Sequence, residues 1–353
     1  MVLKELFLQN FRSYSKKKFD FTSGITLVVG PNTVGKTNLL EAICLLTTGK
    51  SFRASLEKEM ISYGQEIARV KGKIKTQEGR EELEVVLTTG LVAGERVAKK
   101  KYLLNGVSKR MADFVGQLRS VLFQPEDLEI VIDSPSIRRN YLDTVLEQVD
   151  REYRRANLSY QKGLRQRNKL LEQIRDKGKP RSILFFWDKL LLENGAIITA
   201  KRDELINFIN QQPTYFGKLF LAYDKSVISP QRLIQYSQQE IAAGMTLVGP
   251  HRDDFVINLA AGNGRTRNLH TFGSRGEQRT AIFSLKLAEL EFVAQATGER
   301  PVLLLDDIFS ELDHEHRKRL LAVIPKQETI ITTTDIHLIE PEYRQKLEII
   351  SIL

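Results

Sequence analysis

The chain has 353 residues and carries 53 Lys and Arg against 44 Asp and Glu, a formal net charge of +9. Its 42% hydrophobic and 27% charged residues are ordinary globular usage, which excludes disordered, collagen-like and low-complexity proteins. One cysteine, Cys44, excludes a disulfide framework and a multi-cysteine metal site. The length indicates two domains, or one domain with a large insertion, and the basic excess favours nucleic acid or an anionic membrane surface as a partner.

No segment has the length of a membrane span. The longest apolar runs, at 25–29 and 301–305, are strand-sized, whereas a span needs about 20 apolar residues. The N-terminus carries Lys4 and Glu5 and lacks an apolar run of signal-peptide length. We therefore expect a soluble cytoplasmic protein with no membrane partner.

The first third of the chain predicts strands around one helix. The helix is indicated over 38–49, where apolar residues recur at helical spacing and Gly49 ends the run. A strand-like run at 98–106 ends in the hairpin turn Asn105-Gly106. Five further strands are predicted at 2–10, 17–22, 25–30, 66–76 and 81–88.

The middle of the chain predicts a helical arm. Residues 136–176 and 183–212 both show apolar residues at intervals of three and four, and the breaker 177–182 separates them. The pattern indicates an antiparallel hairpin of helices of about 30–40 residues, or roughly 45–60 Å each if continuous. The α/β pattern then resumes with a helix at 274–298 and strands at 254–260, 301–307, 328–335 and 347–353.

A phosphate-binding loop follows the third strand. The pattern G-x-x-x-x-G-K-[ST] is matched by Gly30, Pro31, Asn32, Thr33, Val34, Gly35, Lys36 and Thr37. Backbone N–H groups of such a loop cradle phosphate oxygens, and the following helix presents its positive end. Lys36 would contact the β- and γ-phosphates and the Thr37 hydroxyl would coordinate Mg²⁺, so ATP and Mg²⁺ are the expected cofactors.

The second half of the nucleotide site is predicted at Asp306-Asp307. Both follow a buried apolar strand, and ligands bind at the carboxyl edge of a parallel sheet. Asp306 is the candidate Mg²⁺ ligand, and Asp307 stands where many ATPases carry a Glu that polarises water. Since Thr37 and Asp306 must bind one metal, the head is assembled from both chain ends. We predict head segments 1–125 and 241–353 around a helical arm at 126–240.

A third candidate part of the nucleotide site lies at the start of the helix predicted at 274–298. Ser274 and Gly276 could bind an anion through the hydroxyl and backbone N–H groups. Ser274 followed by Glu277 is also the pattern of a helix capping box, which needs no ligand. Taken alone, the capping box is the better interpretation.

Taken together, the motifs resemble an ABC-type ATPase head of the SMC-like class, and more closely the RecF family. The resemblance runs nearly end to end and rests on FLQNFRSY (7–14), GKTNLLEAI (35–43), TGKSFR (48–53), LFQPEDL (122–128), VGPHRDD (248–254) and LLLDDIFSELD (303–313). It implies an α/β ABC-type head with a P-loop mixed sheet and an inserted α-helical arm.

The resemblance implies a nucleotide shared between two subunits. Ser274 and Gly276 would contact the γ-phosphate held by the P-loop of the other subunit of a homodimer. Gln124 would sense Mg²⁺ and the attacking water, with Asp307 as the second catalytic residue. Residues 310–313, ending in Asp313, would form the loop that crosses the dimer seam. Arg53 would be a basic contact to nucleotide or DNA.

The chain departs from the general ABC pattern at two places. Arg275 replaces the first signature glycine and Glu277 replaces the glutamine, which is tolerable near a phosphate if Glu277 points to the helix cap. Residues 331–335 contain no switch histidine, although Thr334 or Asp335 stands at about that place. Together with Asp307, these departures predict weak DNA-dependent ATP hydrolysis that releases the dimer.

The family's role implies further partners. RecF-like proteins recognise gapped, single-stranded or junction DNA, cooperate with RecR and RecO, and promote loading of the RecA strand-exchange protein in repair, fork recovery and SOS induction. The expected location is the cytoplasm, at the nucleoid.

The basic excess is concentrated in residues 151–181, with eleven Lys or Arg against three Asp or Glu. Such a segment can bind phosphates without reading sequence. It can also be a solvated helix face. We predict DNA contacts there, at Arg151, Arg154, Arg155, Lys162, Arg165, Arg167 and Lys169.

Three other functions share some of these motifs. A transporter energy subunit has the P-loop and signature but usually lacks a long basic insertion between them. An SMC-type chromosome organiser has far longer arms. A small-molecule kinase does not account for the elements at Ser274 or at 310–313.

Overall fold

The computed structural model describes residues 1–22, 24–212, 219–261, 265–312, 314–338, 344 and 347–352. Its strands are β1 (Val2–Phe11), β2 (Tyr14–Asp20), β3 (Ile25–Val29), β4 (Ile67–Lys75), β5 (Arg80–Thr88), β6 (Leu91–Val92), β7 (Glu95–Arg96), β8 (Lys100–Leu104), β9 (Val107–Lys109), β10 (Ser120–Phe123), β11 (Leu219–Asp224), β12 (Asp254–Ala261), β13 (Arg265–Asn268), β14 (Val302–Asp306), β15 (Thr329–Thr333) and β16 (Leu347–Ser351).

The helices are α1 (Lys36–Thr48), α2 (Met111–Phe114), α3 (Glu129–Ile132), α4 (Pro135–Val149), α5 (Arg151–Lys177), α6 (Phe185–Gln211), α7 (Pro230–Gln235), α8 (Ser237–Ala243), α9 (Leu269–Phe272), α10 (Arg275–Thr297), α11 (Ile308–Glu311) and α12 (His314–Val323). Among the described residues, no helix combines the length and apolar character that a membrane crossing requires.

The chain divides into two compact units. The first unit contains Met1–Asp127 and Glu289–Leu353, and the second contains Leu128–Ala288. The head is therefore built from both ends of the chain, as Thr37 and Asp306 predict. The predicted arm ends at residue 240, whereas the second unit continues to Ala288.

The first unit holds two sheets. Six antiparallel strands form the order β2-β1-β4-β5-β8-β9. The predicted strand pair is present, with Glu5 opposite Asp20, and the hairpin turn at Asn105 and Gly106 has positive φ at both residues. Five strands form the second sheet, β10-β14-β15-β3-β16, and every neighbouring pair in it is parallel.

Helix α1 contacts strands of both sheets of the first unit. Its side chains are buried on nearly every side from Leu39 to Thr47, as expected for a helix enclosed by two layers. Gly72 of β4 permits the close approach, because a Cβ there would lie 2.7 Å from Leu46 Cδ1. The residues of α1 pack with those of β1, β4, β14 and β15 in one apolar core.

The second unit is built around the predicted helical hairpin. Gly163 of α5 faces Leu190 of α6, and Tyr160 faces Gly195, so the two helices run antiparallel. Each has 27 residues and is therefore about 40 Å long. β11, β12 and β13 form an antiparallel sheet in the same unit.

The first helical run is shorter than its periodicity predicts. α4 ends at Val149 and α5 begins at Arg151, because Asp150 between them has extended φ and ψ. The Asp150 carboxylate accepts a hydrogen bond from the Tyr153 N–H at 2.9 Å, and this N-cap starts a new helix.

Buried ion pairs hold residues beyond 240 to the hairpin. Arg202 of α6 is 3% exposed and donates to Asp253 at 3.0 Å and to Asp143 at 2.8 Å. Arg167 of α5 donates to Glu240 at 2.7 Å. These contacts connect residues far apart in sequence, which composition alone does not reveal.

Candidate nucleotide site

The parallel sheet places the predicted nucleotide-binding residues at one edge. Gly30 follows β3, Gln124 follows β10, and Asp306 is the last residue of β14. Because all five strands of this sheet are parallel, their carboxyl ends share one edge. The predicted strand, loop and helix are all present, with α1 starting at Lys36.

The loop at 30–37 is held by glycines that leave no room for a side chain. A Cβ on Gly30 would lie 2.5 Å from the Ile352 carbonyl oxygen. Gly35 has φ of 114°, and a Cβ there would lie 2.8 Å from Ser13 Oγ. Thr33 also has positive φ, which concentrates backbone strain in the loop.

Lys36 points back over the loop that precedes it. Its Nζ donates to the carbonyl oxygens of Gly30 at 2.7 Å and Pro31 at 2.8 Å. Burial lowers the pKa of this ammonium, while the nearby carboxylates of Asp307 and Asp306 oppose the shift. An ammonium has three N–H donors, so a phosphate oxygen could take one of them.

The turn between β1 and β2 contacts the start of α1. The sequence patterns did not predict this contact. The Tyr14 hydroxyl donates to the Gly35 carbonyl at 3.0 Å, and burial raises the pKa of Tyr14 to about 12. Asn38 Nδ2 donates to Ser13 Oγ at 3.0 Å. Arg53, expected to contact nucleotide or DNA, is exposed and donates to Asn38 Oδ1 at 3.3 Å.

Asp306 joins the P-loop helix to the strand beside it. Thr37 Oγ1 donates to Asp306 Oδ1 at 3.2 Å, although 269 positions separate the two residues. Thr332 of β15 donates to the same oxygen at 2.7 Å. Thr332 was not predicted, but β15 is directly bonded to β14 and places it opposite Asp306.

The donors at this edge suit Mg²⁺. A hydroxyl and a carboxylate in contact, completed by phosphate oxygens and water, are how Mg²⁺ is commonly bound. Within the described ranges, no group of three or more His, Cys, Asp or Glu could hold a metal by itself. The residues present therefore fit a metal that arrives with a nucleotide.

The two predicted catalytic residues lie after neighbouring strands. Asp307 has φ of 50°, and its N–H donates to Thr332 Oγ1 at 3.1 Å, which fixes a sharp bend after β14. Gln124 is half-buried, and its Oε1 has no hydrogen-bond partner among the described residues. An amide oxygen left unpaired at a strand end is a group suited to a ligand.

The signature element has the geometry of a capping box. The Ser274 N–H donates to Glu277 Oε2 at 2.8 Å, and this bond is the main cause of the lowered pKa of Glu277. Ser274 Oγ donates to the same carboxylate at 3.0 Å, and Arg267 forms an ion pair with it. Glu277 therefore points to the helix cap. Ser274 and Gly276 are exposed, and a Cβ on Gly276 would meet open space.

The remaining residues of interest follow β14 and β15. Asp313 lies outside the described residues. Ser310 Oγ donates to the Asp307 carbonyl at 2.7 Å. Thr334 and Asp335 are exposed after β15. The short 3-10 helix Ile336–Leu338 that follows carries an exposed histidine, His337, which lies just beyond residues 331–335, where a switch histidine was expected.

The seven predicted DNA contacts fall into two groups. Arg151, Arg155, Lys162, Arg165 and Lys169 are exposed on α5. Arg154 and Arg167 are only 8% and 1% exposed. Arg154 donates to the Glu147 carbonyl, and Arg167 pairs with Asp188 and Glu240. Burial excludes these two arginines from a DNA-binding surface, so we correct the prediction for them.

The five exposed cations form one stripe. At 100° per residue they project within an arc of about 80° and extend along about 27 Å of helix. The opposite side of α5 is buried in the second unit and includes Tyr153, Tyr160 and Gly163. We name Arg151, Arg155, Lys162, Arg165 and Lys169 the basic stripe.

The chain matches a family model described as the RecF/RecN/SMC N terminal domain over residues 2–346. The DNA replication and repair protein RecF of Herpetosiphon aurantiacus is 37% identical, over 98% of this chain and 97% of that protein. RecF of Bacillus cereus is 35% identical, over 97% of this chain and 94% of that protein.

Solved structures show the same fold. The recombination mediator protein RecF with ATP, of the RecFOR pathway, has a TM-score of 0.86 and 35% identity over 96% of this chain and 93% of that one. The Smc head domain of Pyrococcus furiosus is 18% identical and has a TM-score of 0.51, over 94% of this chain and 89% of that one. The predicted ABC-type, SMC-like head with a helical arm is confirmed.

Proposed function

The chain belongs to the RecF family, and from that premise we propose that it is a DNA-binding recombination mediator controlled by ATP. ATP-dependent dimerisation would gate its binding to gapped, single-stranded or junction DNA, and slow hydrolysis would release it. The basic stripe carries the DNA part of this proposal. The contact between Thr37 and Asp306 supports the nucleotide part.

ATP would be held by the loop and the first turn of α1. Backbone N–H groups of the loop and the Lys36 ammonium would bind the phosphates, and the glycines at 30 and 35 let the backbone approach them. Mg²⁺ would be held by Thr37 and Asp306 and would neutralise charge on the β- and γ-phosphates.

Hydrolysis would depend on Gln124 and Asp307. The Gln124 amide oxygen would orient the attacking water, since it has no partner among the described residues. The Asp307 carboxylate would accept the proton of that water. An aspartate is one methylene shorter than glutamate, and the bend at Asp307 fixes its backbone, so we expect slow turnover.

A second copy of the chain would complete the site. Ser274 and Gly276 of one protomer would bind the γ-phosphate held by the other, and the exposed positions of both residues suit that role. Glu277 would orient Ser274 from the helix cap and remain paired with Arg267. Residues 310–313 would cross the dimer seam.

DNA would lie along the basic stripe. Five exposed cations over about 27 Å can neutralise phosphates without reading bases, which favours recognition of structure over sequence. In the cell, we propose that the protein acts at the nucleoid in the cytoplasm with RecR and RecO. It would promote RecA loading during repair, fork recovery and SOS induction.

Sedimentation velocity tests the shared nucleotide site. With Mg-ATP, the wild-type chain is expected to shift from monomer to dimer, whereas Ser274→Arg should bind ATP and stay monomeric because the new side chain occupies the place of the γ-phosphate. Ser108→Arg, an exposed serine on the edge strand β9, is the control and should dimerise. A Ser274→Arg protein that dimerises like wild type would contradict the shared site.

Salt dependence tests the stripe. Replacing Lys162, Arg165 and Lys169 by Gln should reduce the slope of log affinity against log salt by about 3 for duplex DNA, at about 0.9 per phosphate contact. The control replaces Lys189, Lys201 and Lys225 by Gln, cations of the same unit that are already ion-paired with Glu193, Asp150 and Asp203. Equal slopes for both triple variants would refute DNA binding at the stripe.

A further inference from the structure

Two phenylalanines are exposed at the tip of the helical hairpin. α5 ends at Lys177, Gly178 caps it in a left-handed conformation, and α6 begins at Phe185. Phe185 and Phe186 are 71% and 66% exposed. Large apolar rings with this exposure contribute little to the fold, which points to a ligand.

The tip is positively charged. Lys177 is the last residue of α5, Lys179 and Arg181 lie in the connection between α5 and α6, and among the described residues none of the three forms an ion pair within hydrogen-bond distance. Lys179 Nζ donates to Gln173 Oε1 at 2.7 Å and Arg181 to the Leu233 carbonyl at 3.2 Å, so both bonds use neutral acceptors. The neighbouring carboxylate in the last turn of α5, Asp176, is paired with Arg175. These three cations therefore lie in and just before the segment that leads into Phe185.

The two rings do not form one flat apolar patch. Consecutive helical residues project about 100° apart, so Phe185 and Phe186 point in different directions. Phe186 contacts Trp187, at 4.9 Å between ring centroids and in an edge-to-face arrangement. Two separate ring faces suit two separate flat ligands better than a single apolar groove or helix.

The tip also continues the basic stripe. The stripe runs along α5 from Arg151 to Lys169, and the end of α5 lies about 12 Å further on. Gly163 faces Leu190 and Arg167 donates to Asp188, so the start of α6 lies level with Lys169, and a DNA strand that follows the stripe would reach Phe185 and Phe186 at the end of the stripe. Bases stack on exposed aromatic rings when they are unpaired, and cations beside the rings bind the backbone.

We propose that the arm tip is a site for single-stranded DNA, where Phe185 and Phe186 stack on unpaired bases and Lys177, Lys179 and Arg181 bind the adjoining phosphates. The inference rests on the proposed DNA-binding function and deepens it. It separates two tasks, because the stripe binds phosphates of any DNA whereas the tip requires unpaired bases. Preference for gapped over continuous duplex DNA would then come from the tip.

Fluorescence anisotropy with three probes tests the proposal: a 30-nucleotide oligo-dT, a 30-base-pair duplex, and an abasic strand of the same length and charge. Phe185→Ala/Phe186→Ala should bind oligo-dT at least about fivefold more weakly than wild type does. Its affinities for the duplex and for the abasic strand should equal those of wild type. Tyr63→Ala, a fully exposed aromatic in the first unit, is the matched control and should bind all three as wild type does.

Two further variants separate stacking from other contacts. Phe185→Leu/Phe186→Leu keeps the apolar surface but loses the ring faces, so it should behave like the alanine variant. Replacing Lys177, Lys179 and Arg181 by Gln should lower the salt slope for oligo-dT by about 2, at about 0.7 per contact on a single strand. Trp187, the chain's single tryptophan, should change its fluorescence with oligo-dT and not with the abasic strand.

The outcomes distinguish the two levels of the proposal. If wild type binds none of the probes, DNA binding itself is refuted. If wild type binds and the alanine variant binds oligo-dT equally well, the tip site is refuted and the stripe remains. If the leucine variant binds like wild type, the rings serve an apolar contact, such as a protein partner, and stacking is refuted.

Discussion

Arg167 offers a direct test of the distinction between buried and exposed cations of α5. Its side chain is 1% exposed and donates to Asp188, Glu240 and Thr246 at 2.7, 2.7 and 2.8 Å. Glu240 is fully buried. Arg167→Ala therefore leaves a buried carboxylate without its arginine, although Glu240 still accepts a hydrogen bond from the Leu247 N–H at 2.9 Å.

Removing one partner of a buried ion pair costs about 3–5 kcal/mol. With a urea m-value of about 2 kcal/mol per molar, this lowers the unfolding midpoint of the second unit by about 1.5–2.5 M. Trp187 is the single tryptophan of the chain and lies on α6, so its fluorescence reports on that unit. The measurement is urea unfolding followed by tryptophan emission.

Arg165→Ala is the matched control, because Arg165 is exposed two positions earlier on the same helix. It should change stability by less than about 0.5 kcal/mol and weaken DNA binding. Arg167→Met/Glu240→Gln should recover part of the lost stability, since it also removes the unpaired charge. An unchanged midpoint for Arg167→Ala, or an equal drop for Arg165→Ala, would refute the structural role.

Three further predictions concern the first unit. Lys36→Ala should weaken ATP binding about 10- to 100-fold in titration calorimetry, because it removes a charged contact to phosphate, while exposed Lys50→Ala should leave the affinity unchanged. Asp306→Asn should abolish the Mg²⁺ dependence of ATP affinity, and Asp307→Asn should retain it; equal Mg²⁺ dependence in both variants would contradict the metal assignment. Burial raises the pKa of Glu328 to about 8 from an ordinary 4.5, so the folded state holds a proton that the unfolded state releases, and stability falls as pH rises from about 4.5 to 8. Glu328→Gln should remove this loss of stability. Urea unfolding midpoints of both proteins at pH 5 and pH 8 test this, and the variant should have the higher midpoint at pH 8 only.

Local patterns predict where the candidate nucleotide-binding residues lie in the fold. The P-loop is one continuous segment whose strand, turn and helix each follow from adjacent residues. Asp306 could be placed because a buried strand ending in an acid defines its own position at the sheet edge. Thr332 could not, since its importance depends on β15 lying beside β14, and strand order is a non-local property.

Local patterns do not predict several features of the arm. A cluster of arginines gives the net charge of a helix but not the direction of each side chain, so Arg154 and Arg167 looked like their exposed neighbours. The break at Asp150 depends on one side-chain hydrogen bond that competes with helix continuation. The contact of Asp253 with the hairpin depends on its ion pair with Arg202, which is 51 positions away in sequence.

The position of β3 has a consequence for protein synthesis. β3 pairs with β15 on one side and β16 on the other, and β15 begins 300 positions after β3 ends. At about 5–20 residues per second, the ribosome delivers those neighbours about 15–60 s later. The P-loop strand must wait for them as an unpaired segment, whereas the hairpin of α5 and α6 can form as soon as it emerges. A truncated chain ending before residue 329 would therefore carry the arm but lack β15 and β16, the two strands that pair with the P-loop strand.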